Sequence, residues 1–354
     1  MNEWYKLKIK GLSDSNIRIL LGVTKTYSEI FTLTREQFAL YLNFNDEIID
    51  KIMSSKEVDL ELELKKLEEN RVKVLFIQDE EYPESLRNIG APPLFLYYKG
   101  NIELLKRFII GVVGTRNATC YGKVACENFT KGLVEADVVT ISGLALGIDT
   151  ICHKKTLAEK GKTIAIVGSG LDVVYPKENR SLWEEVAKEG LLISEYPLGT
   201  QPQQYHFPMR NRIIAGISSG ILVVESKEKG GSLITASIAV EEGKDVFAVP
   251  GDIFSDFSQG CNNLIKNSQA KLVVKVEDIL EEYGIKISVL NKKNSLELSK
   301  LEKEVYEVLS TNKSLDEILI EVRGKTSEVL ATLVDLEIKG LVVATLGGCY
   351  MKKK

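Results

Sequence analysis

Arginine, lysine and glycine meet repeatedly at the ends of short apolar runs in this chain, a combination suited to holding phosphate. Gly114-Thr115-Arg116 directly follows the apolar run 108–113. A glycine there lets a ligand approach the main chain, the next helix presents unpaired N–H groups at the same place, and Arg116 offers a two-pronged contact to a phosphate. The run 138–142 leads into a second small-residue loop with Ser142, Gly143 and Gly147, where a ligand backbone can pass close to the protein's own. Gly168 and Gly170 begin a third loop, which continues as Tyr175-Pro176-Lys177-Glu178-Asn179-Arg180. Its cations reach for phosphate, and Tyr175 offers a face to a base. Arg210, Asn211 and Arg212 open a helix ahead of 221–224, a pairing that suits anions. Arg212 is read with equal weight as a phosphate contact or as the partner of a buried carboxylate. Gly230-Gly231-Ser232 starts a further helix whose backbone amides form an anion nest.

Other chemistries find less support. A dinucleotide fingerprint is missing, because Gly111 lies inside its strand and the turn has no second glycine. Asp149 is expected to cap the helix that carries His153, and His153 to be packed and hydrogen-bonded. With two histidines and five dispersed cysteines, none in a CxxC pair, no metal site is expected. Cys261 and Ser232 lack an evident base, so neither is read as a nucleophile. No catalytic residue and no cofactor are assigned.

Positioning these loops requires strands. Runs at 72–77, 94–98, 108–113, 138–142, 163–167, 191–194, 221–224, 246–249 and 272–276 are nearly continuous in apolar character, as strands covered on both faces must be. From 108 onward they alternate with helix-compatible stretches. The fold class read from this is α/β: a Rossmann-like, doubly wound, mostly parallel sheet with extra strands at one edge. Residues 1–70 form a helical domain, with Thr34-Arg35-Glu36-Gln37 as a capping box. The core is read at 71–284, a linker at 285–299 centred on Asn291 to Ser295, and at 300–354 three helices followed by a hairpin through Gly347-Gly348, the winged-helix pattern.

The chain has 354 residues, a net charge of −4 and a pI near 5.6. Any nucleic-acid contact must therefore come from a local cationic patch rather than a global field. The amino-terminal stretch lacks an apolar signal region, no run approaches a membrane span, and dispersed cysteines fit a reducing compartment; a cytoplasmic protein is expected.

The ordered motifs YPESLRNIGAPPLFLYYKG, VVGTR, SGLALGID, VYPKEN, EYPLG, FPMRNR, GGSLITA, VPG and GCNNLI, spread over 82–276, resemble the DprA/Smf family of bacterial DNA-processing proteins. The resemblance implies a Rossmann-like core that binds single-stranded DNA in a positively charged pocket and self-associates as a homodimer. It further implies a recombination mediator that protects incoming single strands and loads RecA recombinase in natural transformation, without catalytic turnover. By motif match the GTR arginine is Arg116, the YPK lysine is Lys177, and the RNR arginines are Arg210 and Arg212. Departures occur at Leu146, Gly230 and Ser268-Gln269-Ala270. The amino-terminal helices resemble the family's sterile-alpha-motif-like domain.

The carboxy-terminal module is less cationic than a duplex reader should be. From Ser295 to Lys354 there are nine Lys/Arg against ten Asp/Glu, and around its third helix Lys325 and Lys339 face Glu328, Asp335 and Glu337. It is expected to contact protein, or duplex DNA only weakly through Lys352, Lys353 and Lys354. Two other classes compete with the DNA reading. One is a LOG-type nucleotide phosphoribohydrolase, although GGSLITA departs from its GGxGT loop and Glu241 comes late; the other is a dinucleotide-binding regulator.

Overall fold

The computed structural model describes residues 3–285, 298–309, 313–322, 324–338, 341–345 and 349–352. The described residues form two compact units, one within Met1–Ile287 and one within Ser288–Lys354. The linker centre at Asn291 to Ser295, Lys339, the Gly347-Gly348 turn, Lys353 and Lys354 lie outside the described residues.

The first unit is built on β1 (Lys73–Phe76), β2 (Phe95–Gly100), β3 (Ile109–Val113), β4 (Val139–Ser142), β5 (Thr163–Val167), β6 (Leu191–Ser194), β7 (Gly220–Val223), β8 (Asp245–Ala248) and β9 (Lys271–Leu272). They form one sheet in the order β1-β2-β6-β5-β4-β3-β7-β8-β9. All neighbours from β6 to β9 are parallel, while β2 joins β6 and β1 joins β2 antiparallel. This is an α/β Rossmann-like arrangement. The strand order reverses between β3 and β7, and such a reversal opens a crevice outside the carboxyl ends of the strands.

Both faces of the sheet are covered, which explains the uninterrupted apolar runs. On β3, Ile109 and Val113 pack with Ile213, Ile214 and Ala236 from the helices His206–Ile217 and Gly231–Glu241. Ile110 and Val112 point the other way, onto Cys126, Phe129 and Cys152 of the helices Cys120–Glu135 and Ile148–Ala158. The two-residue period of a strand sends alternate side chains to opposite layers, and each fully buried Ile or Val contributes about 1.5–3 kcal/mol.

The last strand is shorter than the run 272–276 predicts. The N–H groups of Val274 and Lys275 donate to the Asp278 carboxylate at 2.8 and 3.1 Å. That side chain competes with the sheet ladder and ends β9 at Leu272.

The amino-terminal helices share a core with the sheet. Tyr5, Leu7 and Ile17 pack with Phe95 and Tyr97 of β2 and with Trp183 of the helix Arg180–Glu189. Asp14 binds the Leu94 N–H and the Lys8 ammonium, both at 2.6 Å. The capping box is present: Thr34 caps the helix Arg35–Leu42 and Gln37 reaches back to it.

The second unit has helices Lys300–Val308, Leu315–Val322 and Thr326–Ile338 over a small antiparallel sheet. Its strands β10 (Lys313–Ser314), β11 (Val342–Thr345) and β12 (Cys349–Lys352) lie in the order β10-β12-β11. Val305, Ile318, Val329, Leu333 and Leu336 form its core. Two-residue β10 carries no apolar signal and is absent from the sequence reading; pairing with β12 alone makes it a strand.

Candidate nucleic-acid interface

The loops after β3, β4, β5 and β7 converge on a cavity of about 550 Å³ at the point where the strand order reverses. Gly114, Thr115 and Arg116 form one wall, Arg210 and Asn211 lie on another, and Lys227, Lys229, Gly230, Gly231 and Ser232 form a third. Tyr175 and Phe207 supply aromatic surface, with ring centroids 5.5 Å apart, and the Arg116 guanidinium lies 5.3 Å from the Phe207 centroid. A smaller adjoining cavity shares Arg116, Tyr175, Phe207 and Arg210 and adds Gly143 and Gly168. Four cations and one carboxylate, Asp149, stand among the described residues lining the larger cavity.

The helix starts around it differ. Gly231–Glu241 begins at Gly230 with no side-chain cap, and Gly230, Gly231 and Ser232 at its start line the cavity. Ser232 is turned aside, donating its hydroxyl to Ser226 Oγ at 2.9 Å. Ile148–Ala158 begins at Gly147, whose φ of +76° and close approach to the Thr115 and Arg116 carbonyls exclude a side chain.

Asp149 therefore does not cap the helix it belongs to, contrary to expectation. Its carboxylate accepts the N–H groups of Gly143 at 3.1 Å and Ala145 at 3.4 Å, and so ties down the preceding loop. Burial raises its pKa, opposed first by the Arg210 charge. His153 is fully buried, with Nδ1 2.7 Å from Thr163 Oγ1.

The two arginines of the RNR stretch have separate surroundings. Arg210 is 5% exposed and its Nη1 donates to the Gly143 carbonyl at 2.7 Å and to the Ile166 carbonyl. Burial pulls its pKa down to about 10, Asp149 works against that, and Arg116 adds to it. It remains a cation at neutral pH, anchored in the cavity floor. Arg212, two residues on, leaves the cavity and pairs with buried Glu195 at 2.6 Å.

Several other rim positions are likewise structural in their contacts. Ser142 Oγ donates to the Val112 carbonyl at 2.6 Å, and the Gly170 N–H to Thr200 O at 2.9 Å. Asn179 is buried, donating to the Leu144 carbonyl at 2.9 Å and lying 2.8 Å from Thr150 Oγ1. Lys177 is exposed on the turn Lys177–Asn179, outside the residues lining the cavities. The cavity also takes in Asp149, Phe207, Lys227 and Lys229, which the sequence reading left outside the site. Lys227 and Lys229 adjoin the Gly230-Gly231 helix start, and that adjacency was the available signal. Among the described residues no group of three His, Cys, Asp or Glu side chains is placed to hold a metal, and no helix is long and apolar enough to cross a membrane.

Comparison with known proteins agrees with this architecture. A profile of the family described as DNA recombination-mediator protein A matches residues 73–284. The DNA processing protein DprA of Streptococcus pneumoniae is 48% identical over 207 residues, covering 58% of this chain and 73% of that protein. Protein Smf of Escherichia coli is 33% identical over 357 residues, 98% of this chain and 94% of its own. Among solved structures, DNA processing protein A from Streptococcus pneumoniae superposes with a TM-score of 0.68 at 38% identity, over 80% of this chain and 98% of that one. DNA processing protein A from Helicobacter pylori, described for its single-stranded DNA binding mode, gives a TM-score of 0.55 at 28% identity, over 60% and 95%.

Proposed function

The chain belongs to the DNA recombination-mediator protein A family, and from that premise we propose that it binds single-stranded DNA through the cavity at the β3/β7 reversal. The observation that carries this reading is the convergence of Arg116, Arg210, Lys227 and Lys229 with an uncapped helix start and two aromatic rings. Single strands need cations that follow phosphates and flat faces for bases, and this cavity supplies both in a protein of net charge −4. Duplex DNA, whose bases are stacked inside, gains only the phosphate part.

The protein acts as a non-enzymatic recombination mediator: it protects incoming single strands and loads a RecA-type recombinase in natural transformation, as a cytoplasmic homodimer. Asp149 supports binding over hydrolysis of nucleotides. It is the carboxylate among the described cavity residues, and loop amides and the Arg210 charge already engage it. In this reading residues 1–70 form the helical domain and 71–284 the DNA-binding core. A linker over 285–299 leads to the winged helix at 300–354, whose described third helix carries Glu328, Asp335 and Glu337 and suits protein better than duplex.

Fluorescence anisotropy with labelled oligo-dT and a matched duplex, across a salt series, tests the reading. Single-strand binding should exceed duplex binding and fall with salt by about 0.7 in log–log slope per phosphate contacted. Arg116→Ala should weaken it about ten- to hundredfold with an unchanged melting temperature, and Lys177→Ala by less. No oligo-dT binding at low salt would refute it.

A further inference from the structure

Glu225 follows the end of β7 and is 2% exposed. Its carboxylate crosses to the start of the neighbouring helix Cys120–Glu135, where it accepts the Thr119 N–H at 2.9 Å and the Thr119 hydroxyl at 2.6 Å. Its backbone carbonyl accepts the Thr115 N–H at 2.8 Å. One residue thus grips both ends of the turn that carries Arg116. Thr119 Oγ1 in turn accepts the Gly122 N–H at 3.1 Å, and a Cβ at Gly122 would collide with the Glu225 carboxylate.

A helix start after the first strand of an open α/β sheet is where such folds ordinarily seat a ligand's phosphate. Here the protein's own carboxylate fills it, and the positive end of the helix holds that carboxylate in place. Gly231–Glu241, the helix that follows the adjacent strand β7 on the other face, has no side-chain cap, and its start lines the cavity.

We propose that Glu225 is the positioning residue for Arg116: an internal anion that shapes the 114–119 turn, aims Arg116 over Phe207 and leaves the Gly231 helix start as the place for nucleic-acid phosphate. The inference rests on the single-strand reading above. It makes an unusual demand. By charge alone, removing a carboxylate from beneath a phosphate site should tighten binding and leave the number of phosphate contacts unchanged. By positioning, the same change weakens binding and removes one contact.

The experiment is oligo-dT anisotropy over a salt series on full-length Glu225→Ala, Gly122→Ala, Arg116→Ala and the Glu225→Ala/Arg116→Ala double variant, each checked by thermal melting. Gly122→Ala leaves every charge in place and puts a methyl where the carboxylate sits. Both Glu225→Ala and Gly122→Ala should bind about tenfold more weakly, with a log–log slope shallower by about 0.7. The double variant should bind no more weakly than Arg116→Ala, because the two residues act as one unit. If Glu225→Ala does not melt cooperatively, Gly122→Ala decides the matter. Equal or tighter binding by either folded variant, or an unaltered slope, overturns the proposal while Arg116→Ala still upholds the single-strand reading. Absence of oligo-dT binding by the unaltered protein overturns both.

Discussion

Two helices begin on the carboxyl rim of the sheet, on opposite faces after the adjacent strands β3 and β7, and they treat their positive ends differently. Cys120–Glu135 starts at Thr119, which caps it, with buried Glu225 bonded to the same residue. Gly231–Glu241 starts at Gly230 with no side chain on its amides, and Lys227 and Lys229 beside it line the cavity. Helix macrodipole and free N–H groups are common to both. The difference is whether the chain answers them itself. Where it does, the helix start becomes a structural joint; where it does not, the same physics is left for a ligand.

The strongest way to break that comparison is to make the second helix start resemble the first. Gly231 has open space around its missing Cβ. Gly231→Asp should place a carboxylate at the positive end of this helix and weaken oligo-dT binding roughly thirtyfold, equivalent to about 2 kcal/mol. The melting temperature should hold or rise, since an acid in the first turn favours the helix. Weakened binding together with a lower melting temperature would show that Gly231 serves the fold instead.

An effect on stability rather than on binding is expected at Arg212. Its pairing with Glu195, at side-chain exposures of 12% and 8%, makes it a joint like Glu225 and unlike Arg210. Arg212→Ala should cost about 3 kcal/mol of stability, mainly from the carboxylate left buried alone, and should leave the salt slope of single-strand binding untouched. Denaturant titration and anisotropy on one preparation separate the two.

An effect that appears only on acidification lies beneath the rim. Burial, and secondarily the Arg210 charge, hold His153 down at about 3, whereas the unfolded chain titrates near 6.5. The native state refuses a proton that the unfolded state accepts. Stability from this source is therefore complete above about pH 6.5 and is lost progressively as pH falls toward 3. His153→Gln should flatten the decline in melting temperature between pH 7 and 4; an unchanged decline would mean that His153 is not the group being titrated.

Much of this arrangement is legible in the chain itself. The nine apolar runs each overlap a strand of the large sheet, because the central strands, covered on both faces, must be apolar throughout. Gly114-Thr115-Arg116, Gly143, Gly168, Tyr175, Arg210, Asn211 and Gly230-Gly231-Ser232 all line one or other cavity, since loops at the carboxyl ends of parallel strands converge at a reversal of order. The structure moved individual side chains out of that set. Ser142 satisfies a carbonyl of β3, Gly170 and Asn179 satisfy carbonyls of neighbouring loops, and Arg212 satisfies Glu195. No local pattern distinguishes Arg210 from Arg212, which share a helix two residues apart.

What the sequence determined by itself was the architecture and the cationic character of the loops at the strand ends, because both follow from periodicity and from residue type. Tertiary structure alone decided which charges stay free. Glu225 lies 106 residues from the threonine it holds, and Arg212 lies 17 from its partner. A charge is answered or left open by what the fold brings within about 3 Å of it, and that distance is set by packing across the sheet, which sequence spacing does not record.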